Sequence, residues 1–166
     1  MKKMVLFYSR ADENYFGGQY RYIEVGNTEK VAKMIVDITG GDLFKIEQKV
    51  PYSADYNNCI EQAKNDLQKK NRPEIVAVPD LSKYEEIYLG FPNYWGTMPM
   101  AVYTVLEALD FNGKTIHPFC THEGSGLSGT EKDIARAAKG SRVEKGLAIQ
   151  GSSVDGAKDT IERWVK

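Results

Sequence analysis

Apolar positions follow two rhythms along the chain. Short unbroken runs at Met4-Val5-Leu6-Phe7-Tyr8, Ile87-Tyr88-Leu89-Gly90-Phe91 and Thr115-Ile116-His117-Pro118-Phe119-Cys120 stop at polar residues or proline, as strands buried on both faces do. Asp42-Leu43-Phe44-Lys45-Ile46 and the stretch from Val143 to Ile149 complete a predicted set of five strands. Between them apolar residues recur at helical spacing: Val31, Met34, Ile35 and Ile38; Tyr56, Ile60, Ala63 and Leu67; Val102, Val105, Leu106 and Leu109; Ile134, Ala137 and Ala138; Ala157, Ile161, Trp164 and Val165. Asn27 is the predicted N-cap of the first helix, Glu29 sits in its first turn and Gly40-Gly41 closes it. The second helix ends near Asn71-Arg72-Pro73.

Strict alternation of strand and helix predicts one α/β domain over residues 1–166, because each crossover helix returns the chain to the same end of a parallel sheet. Right-handed crossovers then put helices on both faces. Five strands in a chain of this size predict a doubly wound five-stranded parallel sheet of order 2-1-3-4-5. Its ligand crevice lies at the carboxyl ends of the strands, around strands one and three. The loops after strands one, three and four are therefore where chemistry is expected.

Composition narrows the function. The 22 Lys and Arg nearly balance the 23 Asp and Glu, giving a net charge of −1. That balance lacks the basic surplus of a dedicated nucleic-acid binder. Cys59 and Cys120 stand apart, without the paired spacing of a redox dithiol or structural zinc site, so no metal is expected. No apolar run reaches the roughly 20 residues of a membrane span or carries the features of a secretory signal, and the expected location is cytoplasmic.

The first loop runs from Ser9 to Asn27. Gly26, Asn27 and Thr28 would gather backbone N–H groups, a hydroxyl and a helix N-terminus around one point, which suits a phosphate; an N-cap with an adjacent turn is the plainer reading. In the second loop, Pro92-Asn93-Tyr94-Trp95-Gly96 offers a flat apolar wall for a planar ring, with Gly96 allowing close backbone approach. Packing of Trp95 over the neighbouring helix is the alternative. The third loop holds Thr121, His122, Glu123, Gly124 and Ser125, and its Gly124 to Gly129 stretch spells a literal GxGxxG. Its position late in the chain argues against a dinucleotide fingerprint and for glycines that let backbone amides wrap a ring edge.

Taken in order, these motifs resemble the flavodoxin family of FMN-binding proteins, from Met4 to about Ile149. Ser9-Arg10 and Gly26 to Ala32 resemble its phosphate loop and first helix, Leu89 to Thr97 its first flavin-facing loop, and Gly113 to Ile116 with Pro118 to Ser125 its fourth strand and second flavin loop. The resemblance implies a flavodoxin-like fold, bound FMN and redox chemistry. It places the phosphate at Ser9, Arg10, Gly26, Asn27 and Thr28, the ring at Pro92 to Gly96, and the ring edge at Thr121 to Ser125.

Two departures stand out. The family's continuous phosphate run is interrupted here by Ala11 to Val25, Val25 stands where a hydroxyl would be, and Arg10 is the guanidinium available to replace that contact. The insert carries Tyr15, Phe16, Tyr20 and Tyr22 and either folds over the site, mediates association, or is a surface loop with no role in binding. In addition, the loop after strand four offers His122 where electron-carrying members place a tyrosine. The resemblance leaves two activities open: electron transfer with a redox partner protein, or FMN-dependent NAD(P)H oxidoreductase chemistry with a quinone or similar small acceptor. A receiver-type phosphate switch needs an aspartate where this chain has Phe91-Pro92 and is set aside. Oligomeric state is not readable from these residues.

Overall fold

The computed structural model describes residues 2–165. Its main sheet contains β1 (Lys2–Phe7), β4 (Asp42–Lys45), β5 (Tyr84–Pro92), β6 (Thr115–His122), β7 (Arg142–Val143) and β8 (Leu147–Gln150). The order is β4-β1-β5-β6-β7, with β8 also on β6, and every pairing is parallel. This is the expected order 2-1-3-4-5 with its fifth strand in two pieces.

That interruption has a cause on β6. The carbonyls of Lys114 and Ile116 accept the amides of Arg142 and Glu144, so alternate residues of β6 face the fifth strand. Pro118 is next in that series and has no N–H to give. The fifth strand therefore breaks opposite it and resumes where Phe119 pairs with Leu147.

The helices are α1 (Asn27–Thr39), α2 (Tyr56–Lys69), α3 (Met100–Ala108), α4 (Thr130–Ala137) and α5 (Lys158–Val165), and Gly151–Gly156 forms a 3-10 turn. Alternate residues of the central strands enter two cores. Val5, Phe7, Tyr88 and Phe119 pack with Val31 and Ile35 of α1 and Ile161 of α5; Leu6, Ile87, Leu89 and Ile116 pack with Val102 of α3 and Ile134 of α4. Each such fully buried aliphatic side chain contributes about 2 kcal/mol of hydrophobic stabilisation. The two cores hold the carboxyl ends of β1, β5 and β6 level with one another.

One expectation requires correction. Gly26, rather than Asn27, occupies the N-cap of α1 and makes no side-chain cap bond. The Ser9 hydroxyl reaches across to accept the Glu29 amide at 3.0 Å instead. The insert itself is regular: β2 (Asp12–Phe16) and β3 (Gln19–Ile23) form an antiparallel hairpin. Gly17 and Gly18, with φ of 61° and 76°, supply the two left-handed positions that its tight turn requires. Two glycines between runs containing Tyr15, Phe16, Tyr20 and Tyr22 are the sequence signal for that hairpin.

Candidate functional site

A cavity of about 290 Å³ opens at the carboxyl ends of β1, β5 and β6. Of the residues expected there, Arg10, Asn27, Thr28, Pro92, Asn93, Tyr94, Trp95, Thr121, His122 and Glu123 line it. Ser9, Gly26, Gly96, Gly124 and Ser125 do not; they shape the loops behind it.

The floor is the start of α1. Ser9 takes the Glu29 amide and the Gly26 carbonyl takes that of Lys30, while the amides of Asn27 and Thr28 have no acceptor among the described residues. Two free amides at a helix N-terminus favour an anion. The Thr28 hydroxyl lies 2.7 Å from that of Thr121, so one donates and the other keeps a proton to offer elsewhere.

Arg10 borders the cavity and also makes two hydrogen bonds to backbone carbonyls. Its Nε donates to the Glu13 carbonyl at 3.0 Å and a terminal nitrogen donates to the Ala54 carbonyl at 2.9 Å. The guanidinium thus fastens the base of the hairpin to the segment before α2, while its flank still borders the cavity.

The aromatic wall comes from a second tight turn. Tyr94 and Thr97 exchange backbone bonds of 2.8 and 3.3 Å around Trp95 and Gly96, both at positive φ. A bulky residue at φ 58° is strained by about 1–2 kcal/mol. Asn93 holds the turn: its side-chain oxygen accepts the Gly96 amide, and its Nδ2 donates to the Gly126 carbonyl and Ser128 hydroxyl, each at 3.0 Å. Asn93 thereby ties the loop after β5 to the loop after β6. Trp95 is half exposed, donates its indole N–H to the Ile60 carbonyl at 2.9 Å, and has the Lys64 ammonium 5.3 Å above its ring. It packs over α2 and borders the cavity at once, combining the two readings of this residue.

Tyr94 points its hydroxyl inward, where that atom is buried without a hydrogen-bond partner among the described residues, and burial pushes its ionisation well above the ordinary phenol range. Cys59 also lines the cavity; burial raises its thiol pKa, so it stays protonated at neutral pH. His122 accepts the Gly124 amide on Nδ1 at 2.8 Å, leaving Nε2 as its N–H donor. Burial lowers the pKa of this imidazole, against the opposing pull of Glu123.

Sequence reasoning missed three contributors. These are Asn14 of the hairpin, Tyr56, Cys59, Ile60 and Ala63 on α2, and Gly151; Tyr15 and Phe16 line the cavity as the reading that folds the insert over the site expects. Periodicity located the α2 stripe but could not distinguish a core-facing stripe from one facing a cavity. Among the described residues there is no cluster of ligands suited to a metal ion, and no helix is long and apolar enough to cross a membrane.

The fold has counterparts among solved structures. A structure from Bacteroides uniformis ATCC 8492, described as a candidate flavoprotein, superposes with a TM-score of 0.77 at 26% identity, covering 99% of this chain and 97% of that one. The flavoprotein from Lactobacillus acidophilus NCFM in complex with FMN superposes at 0.66 with 22% identity, covering 99% of both chains. A Fusobacterium nucleatum flavodoxin bound to flavin mononucleotide shares the fold at 0.53 with 14% identity, covering 99% of this chain and 95% of that one. No curated protein matches the sequence. The flavodoxin family model matches residues 20–166, from β3 through the last helix, and the chain belongs to the flavodoxin family.

Proposed function

We propose that the protein binds FMN in this cavity and passes electrons through it to and from a redox partner. The observation that carries this reading is one concave site combining a helix N-terminus with two free amides and an aromatic wall at the tip of a clamped turn. Those features suit the two ends of FMN, an anionic phosphate and a flat apolar ring. Asn27 and Thr28 would hold the phosphate, Pro92, Tyr94 and Trp95 would border the ring, and Thr121 and His122 would serve its polar edge. Bound there, FMN supplies the redox chemistry, while the protein fixes its orientation and limits its contact with water.

Electron transfer is favoured over hydride transfer because the hairpin adds Asn14, Tyr15 and Phe16 to the walls. A hydride donor must lie flat against an open ring face, whereas electrons leave through an exposed edge. One feature favours the second reading, an FMN-dependent oxidoreductase: the loop after β6 contributes Thr121, His122 and Glu123, with no aromatic to cover the ring from that side. Titration of the purified protein with FMN, followed by flavin fluorescence, tests the shared premise; unquenched fluorescence at micromolar protein would refute it. NAD(P)H consumption with a quinone acceptor then separates the two activities. Sustained turnover would overturn the carrier reading.

A further inference from the structure

The hairpin is held very differently at its two ends. At its base, Arg10 bonds the Glu13 and Ala54 carbonyls, Asn14 Nδ2 donates to the Arg10 carbonyl at 3.0 Å, and the Glu13 carboxylate accepts the Tyr56 amide at 2.8 Å. Toward its tip Glu123 Oε1 accepts the Gly17 amide at 2.8 Å, and on β3 the Tyr20 hydroxyl makes a longer 3.5 Å bond to Asn57 Oδ1 of α2. Beside Gly17, Phe16 is the one buried apolar side chain of the two strands, and β3 is exposed along nearly its whole length. A segment anchored by several bonds at one end, and held toward the other chiefly by the short bond to a carboxylate that also borders the cavity, has the construction of a lid.

We propose that the β2–β3 hairpin is a latched lid over the cavity, and that Glu123 is a positioning residue whose carboxylate, by holding the Gly17 amide, sets how fast ligand enters and leaves. This rests on the FMN reading for the identity of that ligand. Glu123 then acts through the hairpin rather than as an edge contact to the ring. A charge-assisted bond of this kind governs the closed population by roughly tenfold or more. Opening of the tip frees the wall formed by Tyr15 and Phe16 without disturbing the sheet.

The test is rapid mixing of the full chain with FMN, comparing wild type with Glu123→Ala and with a Gly17→Cys/Ser152→Cys pair. A Cβ at Gly17 would lie 3.7 Å from that of Ser152, within disulfide reach; a side chain at φ 61° is strained, so the reduced pair is the reference for the oxidised one, and the native Cys59 and Cys120 are buried. Latch release in Glu123→Ala is expected to raise association and dissociation rates together by about tenfold. The oxidised pair should slow both, and a thiol reductant should restore them. An increase in dissociation alone, or equal exchange by oxidised and reduced forms, would overturn the latch. If wild type takes up no FMN, the functional reading fails instead, and hydrogen exchange at the Gly17 amide decides the latch: faster exchange in Glu123→Ala sustains it, and unchanged exchange refutes it.

Discussion

The hydroxyls of Thr28 and Thr121 lie 2.7 Å apart, joining the first turn of α1 to the end of β6, and both side chains are buried. Replacing either by valine strands the other's hydroxyl. Each single change should cost about 1–3 kcal/mol in chemical denaturation, and the double change less than their sum. Thr28→Val should also weaken FMN more than riboflavin, because only FMN carries a phosphate for the helix terminus. Equal losses in paired titrations would move the anion site elsewhere.

Trp95 occupies a backbone conformation suited to glycine, and its ring borders the cavity. Trp95→Gly should therefore keep or raise the melting temperature while weakening FMN about tenfold or more, since it relieves strain and removes the aromatic surface. Trp95→Ala should weaken FMN equally without the gain in stability. Calorimetry beside FMN titration reads both effects.

Gly90 of β5 has no room for a side chain: an added Cβ would come within 2.2 Å of the Phe119 ring. Gly90→Ala is expected to destabilise the protein by about 3 kcal/mol, and Phe119→Leu in the same chain to recover part of that. Urea unfolding of the single and double variants checks the coupling.

His122 gives the fold a pH dependence of predictable sign. Its folded pKa lies below the ordinary histidine value because of burial, so the unfolded chain binds the proton first as pH falls. The stability this residue contributes is fully present above about pH 6.5 and is lost as pH drops through the lower folded value. Protonation at Nδ1 would also break its bond from the Gly124 amide. Melting curves between pH 8 and 5 should show this loss, and His122→Gln should flatten it.

The sheet was legible because β1, β5 and β6 are buried on both faces and must be written as continuous apolar runs, and the helical stripes followed from the same burial. Less legible was whatever depends on partners distant in sequence. The Ser9 hydroxyl capping α1 from outside the helix, Arg10 turning toward Ala54, and Asn93 binding two loops together have no local pattern. At Pro118 the local chemistry was plain, yet its effect appears on another strand. The hairpin carried its own signal at Gly17-Gly18, masked because its aromatics face the cavity and its surroundings rather than a core of their own.

At Gly26 the backbone rests directly on the chain it left at Arg10: a Cβ there would be 2.4 Å from the Arg10 carbonyl oxygen and 2.2 Å from the Ser9 hydroxyl. The hairpin therefore departs and returns through one doorway and spans no gap in the sheet. It is attached to the scaffold at one point, so a change in its length or composition would act on the cavity wall and on the reach of its tip while the strands beneath keep their register.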